Sequence, residues 1–337
     1  MKIGSVDTAN KVLIIAEIGN NHEGSIDVAL ELIKRAADAG VRAVKFQTFR
    51  TEHYVSANQA ERFARLKRFE LSRNAFLRLA EEARRHHLLF ISTPFDIESA
   101  EFLDGIVDGL KIASGDNTFY PLIEKVAESG KPLIISTGLA TMANVRYAAG
   151  VIERAWDRAG VRTRELGILH CVSAYPVPPE EANLAAIRTL QENFPVTVGY
   201  SDHTLGIEAA MLAVAAGARI VEKHFTLDRN YSDFRDHQLS ADPQMLAELV
   251  KSVERAEAFL GHGRKEPGSA ELEGMEATRR SIASAVALPA GTILGPAHIT
   301  WIRPGNGIPP GEERRVLGRR LRNALPAGTV INEADLD

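Results

Sequence analysis

One unit recurs along most of this chain: a short apolar, β-branched run, then a loop, then a helix with recognisable caps. The runs fall at 12–18, 43–48, 89–93, 109–114, 132–136, 166–172, 196–201 and 220–225. They lack the strict alternation of a half-exposed sheet and read as parallel strands buried on both faces. Ser25 caps a helix whose apolar stripe is Val28, Leu32, Ile33 and Ala36, and Gly40 closes it. Ser72 begins the next helix, with Phe76, Leu79, Ala80 and Ala83 turned inward. Asp96, Thr141, Asn183 and Thr204 are further expected N-caps, and Pro121 suits a first turn. Asp242-Pro243 opens a last helix that runs to Gly261. Eight strand–helix units in succession predict an α/β protein of the (β/α)8 TIM-barrel class. A doubly wound open sheet has the same alternation, but no GxGxxG follows the first strand.

The expected domains are a catalytic barrel over 1–262, a linker over 263–275 that lacks helical periodicity, and a small module over 276–337. That module is punctuated by Pro and Gly and reads as β-rich. ALPAGTIL (287–294) and ALPAGTVI (324–331) share one frame, so it contains two related halves. A formal charge of −4 with dispersed basic residues argues against nucleic acid or an anionic membrane as partner. The single cysteine, Cys171, excludes an internal disulfide and any thiolate-rich zinc site. The first apolar run, Val12 to Ala16, is too short for a signal core or a membrane span. A soluble cytoplasmic protein is expected.

In a barrel of parallel strands the active site forms at the C-terminal strand ends. Those ends carry Glu17; Lys45 and Gln47; Thr93; Lys111, Ser114 and Asp116; Ser136; Ser173 and Tyr175; Ser201 and His203; and Glu222 and His224. Histidines ending two neighbouring strands can face one cavity and hold one divalent ion. Two lysines inside apolar strands, with several Ser/Thr-Gly turns at helix starts, make a pocket for phosphate or carboxylate. A lysine in a barrel interior needs an anionic partner, and Glu17, Asp116 and Glu222 are the available carboxylates. Asp236, in the loop 230–237, is placed to reach over the mouth.

The stretches AEIGNNHEG, VKFQT, ISTPFD, KIASGD, STG, HCVSAYP, GYSDHTLG and EKHFTLDR follow one another in the order and spacing of the sialic acid synthase family. The likeness continues through WIRPGNG into the C-terminal module, which resembles that family's antifreeze-like (SAF) domain. The resemblance implies condensation of phosphoenolpyruvate with N-acetylmannosamine or a related 2-acetamido sugar, giving a nine-carbon acid and phosphate, with Mn2+ or Mg2+. It makes His203 and His224 the metal ligands. It sets Lys45, Thr93, Lys111, Ser114, Ser136 and Ser201 around phosphoenolpyruvate, and Glu17 as an acid, base or orienting carboxylate. Tyr175 and Asp236 would bind the sugar hydroxyls, and Ser173 stands at a sugar-contact position where asparagine is frequent. Arg303 would cross from a second subunit's antifreeze-like domain to the sugar's N-acyl group, which implies a domain-swapped homodimer. Glu17, Lys111 and the two histidines are thus the expected catalytic residues, with Gln47, Asp116 and Glu222 joining the substrate-binding set.

Residues 51–71 look short for the family, so the rim of the sugar pocket is expected to be reshaped. Legionaminate-type, pseudaminate-type and sugar-6-phosphate acceptors therefore stay open, with Lys67, Arg68 and Arg73 as charges for a phosphate. A rival chemistry is a Schiff-base aldolase with Lys111 as nucleophile.

Overall fold

The chain starts with a hairpin, β1 (Lys2–Ile3) and β2 (Val6–Asp7), ahead of the first expected strand. The structure, a computed structural model, describes residues 1–337. Eight parallel strands follow: β3 (Leu13–Gly19), β4 (Ala43–Thr48), β5 (Leu89–Pro94), β6 (Gly109–Ile112), β7 (Leu133–Ser136), β8 (Leu166–Cys171), β9 (Thr197–Asp202) and β10 (Ile220–His224). Each predicted run coincides with one of them to within two residues at either end. Consecutive strands are neighbours, and β10 pairs with β3 to close the barrel. The alternation of strand and helix therefore produces the closed barrel, not the open sheet.

Side chains alternate inward and outward along each strand. Leu13, Ile15, Ala43, Leu89, Ile91, Ile134, Leu169 and Ile220 pack together inside the lower barrel, and Ile3 of the hairpin joins them. Two residues further up the same strands the inward positions become Glu17, Lys45, Thr93, Ser136, Cys171 and Glu222. One interior face thus switches from apolar below to charged above. Gly199 belongs to the tight lower part, where a Cβ would lie 2.4 Å from the Ile220 carbonyl and 2.6 Å from Leu169. The outward faces pack under the helices in a single large apolar shell.

Ser25, Ser72, Asp96, Thr141 and Asp242 each accept a backbone N–H at the start of a helix, as expected. Pro121 stands in the first turn of Tyr120–Glu128. Asn183 and Thr204 are not caps. The helix Ala186–Asn193 starts after Ala185, with Asn183 at φ 45°. Thr204 is occupied by Asp202, whose Oδ1 accepts both its N–H and its hydroxyl at 2.8 Å, and Glu208–Ala215 starts after Ile207.

Residues 51–71 are a folded rim. Thr51–Tyr54 and Ala60–Phe69 are helices, and Val55, Leu66 and Phe69 pack with Phe49 and Phe95. No helix of the chain is long and apolar enough to cross a membrane.

The residues divide into two units, Met1–Gly261 and His262–Asp337. In the second, Ser269–Thr278 is an exposed helix that begins within the expected linker and runs past its end; it buries no residue, so no apolar stripe announces it. Strands β11 (Ser281–Ser284) and β12 (Ile299–Ile302) pair antiparallel. The two sequence repeats pair with each other. Leu288 and Leu325 exchange both backbone hydrogen bonds at 2.8 Å, and both help build a core with Ile282, Leu294, Val316, Leu321 and Ile331.

Candidate active site

The polar upper layer of the barrel lines a cavity of about 330 Å³. Register puts its charges side by side: Glu17 lies opposite Lys45 on β4 and opposite His224 on β10, while Glu222 lies opposite Ser201 on β9. Lys45 Nζ is 2.8 Å from Glu17 Oε2, 3.6 Å from Glu222 Oε1 and 3.1 Å from the Thr93 hydroxyl. Lys111 donates to both oxygens of Glu222 at 2.9 and 2.8 Å, and Ser201 donates to the same carboxylate at 3.1 Å. Gln47 donates to Glu17 at 3.1 Å and accepts from Asn20 at 2.9 Å. Two carboxylates and two ammonium groups are thereby buried as one network, which satisfies the requirement that interior charges be paired.

Burial opposes ionisation of every member, and their mutual pairing decides the outcome. Glu17 is raised, burial outweighing the pull of Lys45. Burial would raise Glu222 too, but Lys111 and Lys45 overcome it and hold it down at about 2. Burial works against the charge on Lys45, yet Glu17 and Glu222 raise it overall, whereas burial prevails at Lys111 and lowers it.

Next to this network the rings of His203 and His224 stand 5.3 Å apart, centroid to centroid. Tyr175 packs on His203 at 4.2 Å, and the Arg235 guanidinium lies 4.8 Å from the Tyr175 ring centre. His203 Nδ1 is 2.8 Å from the Val172 carbonyl, which can only accept, so that nitrogen donates and Nε2 is the one left for a ligand; burial opposes a charge on this ring, but Cys171 and the Val172 carbonyl raise it overall. His224 falls well below the usual imidazole range through burial, reinforced by His203 and Lys45, and its buried Nδ1 has no hydrogen-bond partner. Behind the two histidines, Asp202 and Lys223 point outward and form a fully buried ion pair at 2.9 Å.

Ser114, Ser136, Ser173 and Asp236 complete the expected lining. Ser136 Oγ, Ser173 Oγ and Asp236 Oδ1 are buried there without hydrogen-bond partners. Gly138 N–H donates to Ser114 Oγ at 3.1 Å. Two expected residues stand apart from this lining. Asp116 sits in the turn after β6 with Oδ2 buried and unpaired, and neither lysine uses it as counter-ion. Arg303 belongs to the second unit, directly after β12.

Cys171, Tyr54, Arg62, Arg65 and Phe69 line the cavity without having been expected there, and Asn20 joins them from the end of the first barrel strand. Cys171 follows His170 on an inward strand position and was legible by parity. Tyr54, Arg62, Arg65 and Phe69 come from the helical rim, the stretch whose length is expected to reshape the pocket but whose helices no cap announces. Lys67 and Arg73, the charges considered for a phosphate, are engaged elsewhere: Lys67 pairs with Glu52 and Glu70, and Arg73 with Glu98.

Residues 32–265 match the NeuB family, and residues 279–337 match the SAF domain. This chain belongs to the NeuB family. An N,N'-diacetyllegionaminic acid synthase of Legionella pneumophila is 39% identical over 94% of this chain and 92% of its own length. An uncharacterized protein of Methanocaldococcus jannaschii, MJ1065, is 42% identical over 100% of this chain and 98% of its own. The crystal structure of an N-acetylneuraminic acid synthetase from Leptospira borgpetersenii, in complex with citrate, is 39% identical with a TM-score of 0.76, covering 82% of this chain and 95% of that one. NeuB-family membership makes the chain an enzyme, a condensing transferase, built as a TIM barrel followed by a SAF domain.

Proposed function

We propose that the chain joins phosphoenolpyruvate to a 2-acetamido aldose of the N-acetylmannosamine kind, releasing phosphate and a nine-carbon 2-keto acid. The observation that carries this reading is the buried network of Glu17, Lys45, Glu222 and Lys111, lined by hydroxyls and adjoining two imidazoles in one cavity. Phosphoenolpyruvate carries a phosphate and a carboxylate on a small rigid frame. Lys45 and Lys111, with Thr93, Ser114, Ser136 and Ser201, offer charge-assisted hydrogen bonds for both groups.

The donor set suits a divalent cation. His203 presents Nε2 with its other nitrogen fixed by a carbonyl, and His224 is kept neutral by burial. No group of three or more His, Cys, Asp or Glu side chains is gathered to enclose an ion, so the remaining positions would fall to water and substrate. His203 and His224 would hold Mn2+ or Mg2+, which would supply Lewis-acid polarisation of the sugar aldehyde. In this reading Lys45 and Lys111 hold phosphoenolpyruvate with C3 toward that aldehyde, and the gain is mainly one of proximity. C3 attacks the carbonyl carbon, water adds at C2, and the resulting tetrahedral centre expels phosphate by C–O cleavage. Glu17, raised by burial and bonded to Lys45 and Gln47, is placed to take and return a proton during these steps. Tyr175, Ser173 and Asp236 face the acceptor.

The relative from Legionella favours a legionaminate-type acceptor as a second reading within the same chemistry. The test is a panel of neuraminate, legionaminate and pseudaminate precursors with phosphoenolpyruvate and Mn2+, scored by phosphate release and product mass. No phosphate from any acceptor would overturn the reading. The expected homodimer, with Arg303 against the N-acyl group, belongs to the same proposal; a monomeric, fully active enzyme would remove it.

A further inference from the structure

Asp236 reaches the cavity wall from a loop, residues 226–240, that begins two residues past His224. The loop contains one short helix, Arg235–Leu239, too brief to be rigid alone. Its anchor is the loop that follows β3 on the adjoining strand of the closed barrel. Glu23 Oε1 accepts from the Ser232 hydroxyl and from His237 Nε2, the latter at 3.2 Å. His237 is fully buried, and its Nδ1 is 2.6 Å from the Thr226 hydroxyl. A carboxylate can only accept, so Nε2 carries the proton and Nδ1 accepts from Thr226. Burial lowers His237, consistent with that neutral tautomer. A second stitch runs in parallel: Asn21 Nδ2 donates to Ser240 Oγ at 3.0 Å, and that hydroxyl donates to the Asp236 carbonyl at 2.5 Å. Glu23 itself sits at φ 47°, an unusual conformation for a side-chain-bearing residue. Neither Glu23 nor His237 lines the cavity.

We propose that Glu23 and His237 are positioning residues that hold Asp236 against the acceptor. The proposal rests on the acceptor reading given above. The hydrogen bonds bracket Asp236 on both sides, through Ser232 before it and His237 and Ser240 after it. The Asp236 carboxylate is largely buried at the cavity wall, and its Oδ1 makes no hydrogen bond, having only the guanidinium of its neighbour Arg235 at 3.4 Å, so it is free to bond a bound molecule. Fixing its backbone beforehand lowers the ordering cost when the acceptor arrives.

The test compares Glu23→Ala, His237→Ala and His237→Gln, the last retaining an N–H that reaches Glu23. Both alanine variants should raise the KM for the acceptor by about tenfold, the loss of one hydrogen bond to a charged group. The KM for phosphoenolpyruvate should stay within about twofold, and His237→Gln should recover most of the loss. A role in stability alone would move both constants or neither, and either result would overturn the proposal. Hydrogen exchange needs no acceptor: amides of 226–240 should exchange faster in Glu23→Ala while those of β3 to β10 keep their protection. If no sugar in the panel is turned over, the acceptor reading fails by itself. Unchanged exchange in the loop would then sink the positioning claim, and faster exchange confined to it would uphold the anchor.

Discussion

Lys111 and Glu222 meet across the barrel interior from β6 and β10, strands that are not neighbours, with both carboxylate oxygens within 2.9 Å of the lysine. Glu222→Ala would leave two buried lysines with Glu17 as their remaining carboxylate. The expected loss is on the order of 3–5 kcal/mol, read as a lower Tm. The double variant Lys111→Met with Glu222→Met should recover much of that stability and yet release no phosphate from phosphoenolpyruvate. A double variant as unstable as Glu222→Ala would show that the pair is not the source of the loss.

Asp116 gives a pH signature. Burial pushes its carboxyl up to about 6 from an ordinary 3.8. The folded chain therefore binds more protons than the unfolded one between those values, and stability declines as pH rises through them. Asp116→Asn removes the penalty. It should stabilise the protein by about 1–2 kcal/mol at pH 8, discounted for partial exposure, and have little effect below pH 4. Equal Tm differences at both pH values would contradict this assignment.

Chelation should stop phosphate release, and added Mn2+ should restore it. His203→Ala should lower turnover by about 100-fold or more, since one of the two imidazoles proposed as ligands is gone. Full activity in metal-free buffer would refute the Lewis-acid role.

Borohydride with pyruvate should leave no mass adduct on Lys111. Burial lowers this lysine, the direction a Schiff-base nucleophile needs, but both oxygens of Glu222 hold its protons. A trapped Lys111 would favour the aldolase chemistry.

Gly138→Ala probes the packing behind two hydroxyls of the cavity lining. Its Cβ would come within 2.2 Å of Ser173 Oγ and 2.7 Å of Ser114 Oγ, displacing two hydroxyls that line the cavity. We expect kcat/KM to fall by about tenfold or more with a small change in Tm.

The barrel was legible because β-branched runs buried on both faces alternate with capped helices, and Ser25, Ser72, Asp96, Thr141 and Asp242 mark where those helices begin. The polar strand ends were legible for the same reason, as interruptions of apolar runs. The rim was not. Gln59 makes no side-chain cap for Ala60–Phe69, and that helix is crowded with arginines, so nothing set it apart from a polar loop. Thr204 suits an N-cap by residue type, but Asp202 occupies both its N–H and its hydroxyl. Choosing Glu17 and Glu222 over Asp116 as counter-ions required strand register, which no single stretch encodes.

The seam between β3 and β10 pairs Glu17 with His224 across more than two hundred residues of intervening chain. During synthesis, therefore, the first strand must wait without its second neighbour until the last has left the ribosome. A chain stopped between β6 and β10 carries Glu17, Lys45 and Lys111 but has no closed ring to hold them. Truncated or nicked copies should consequently lose the capacity to gather the reacting groups altogether, rather than retain a weakened version of it.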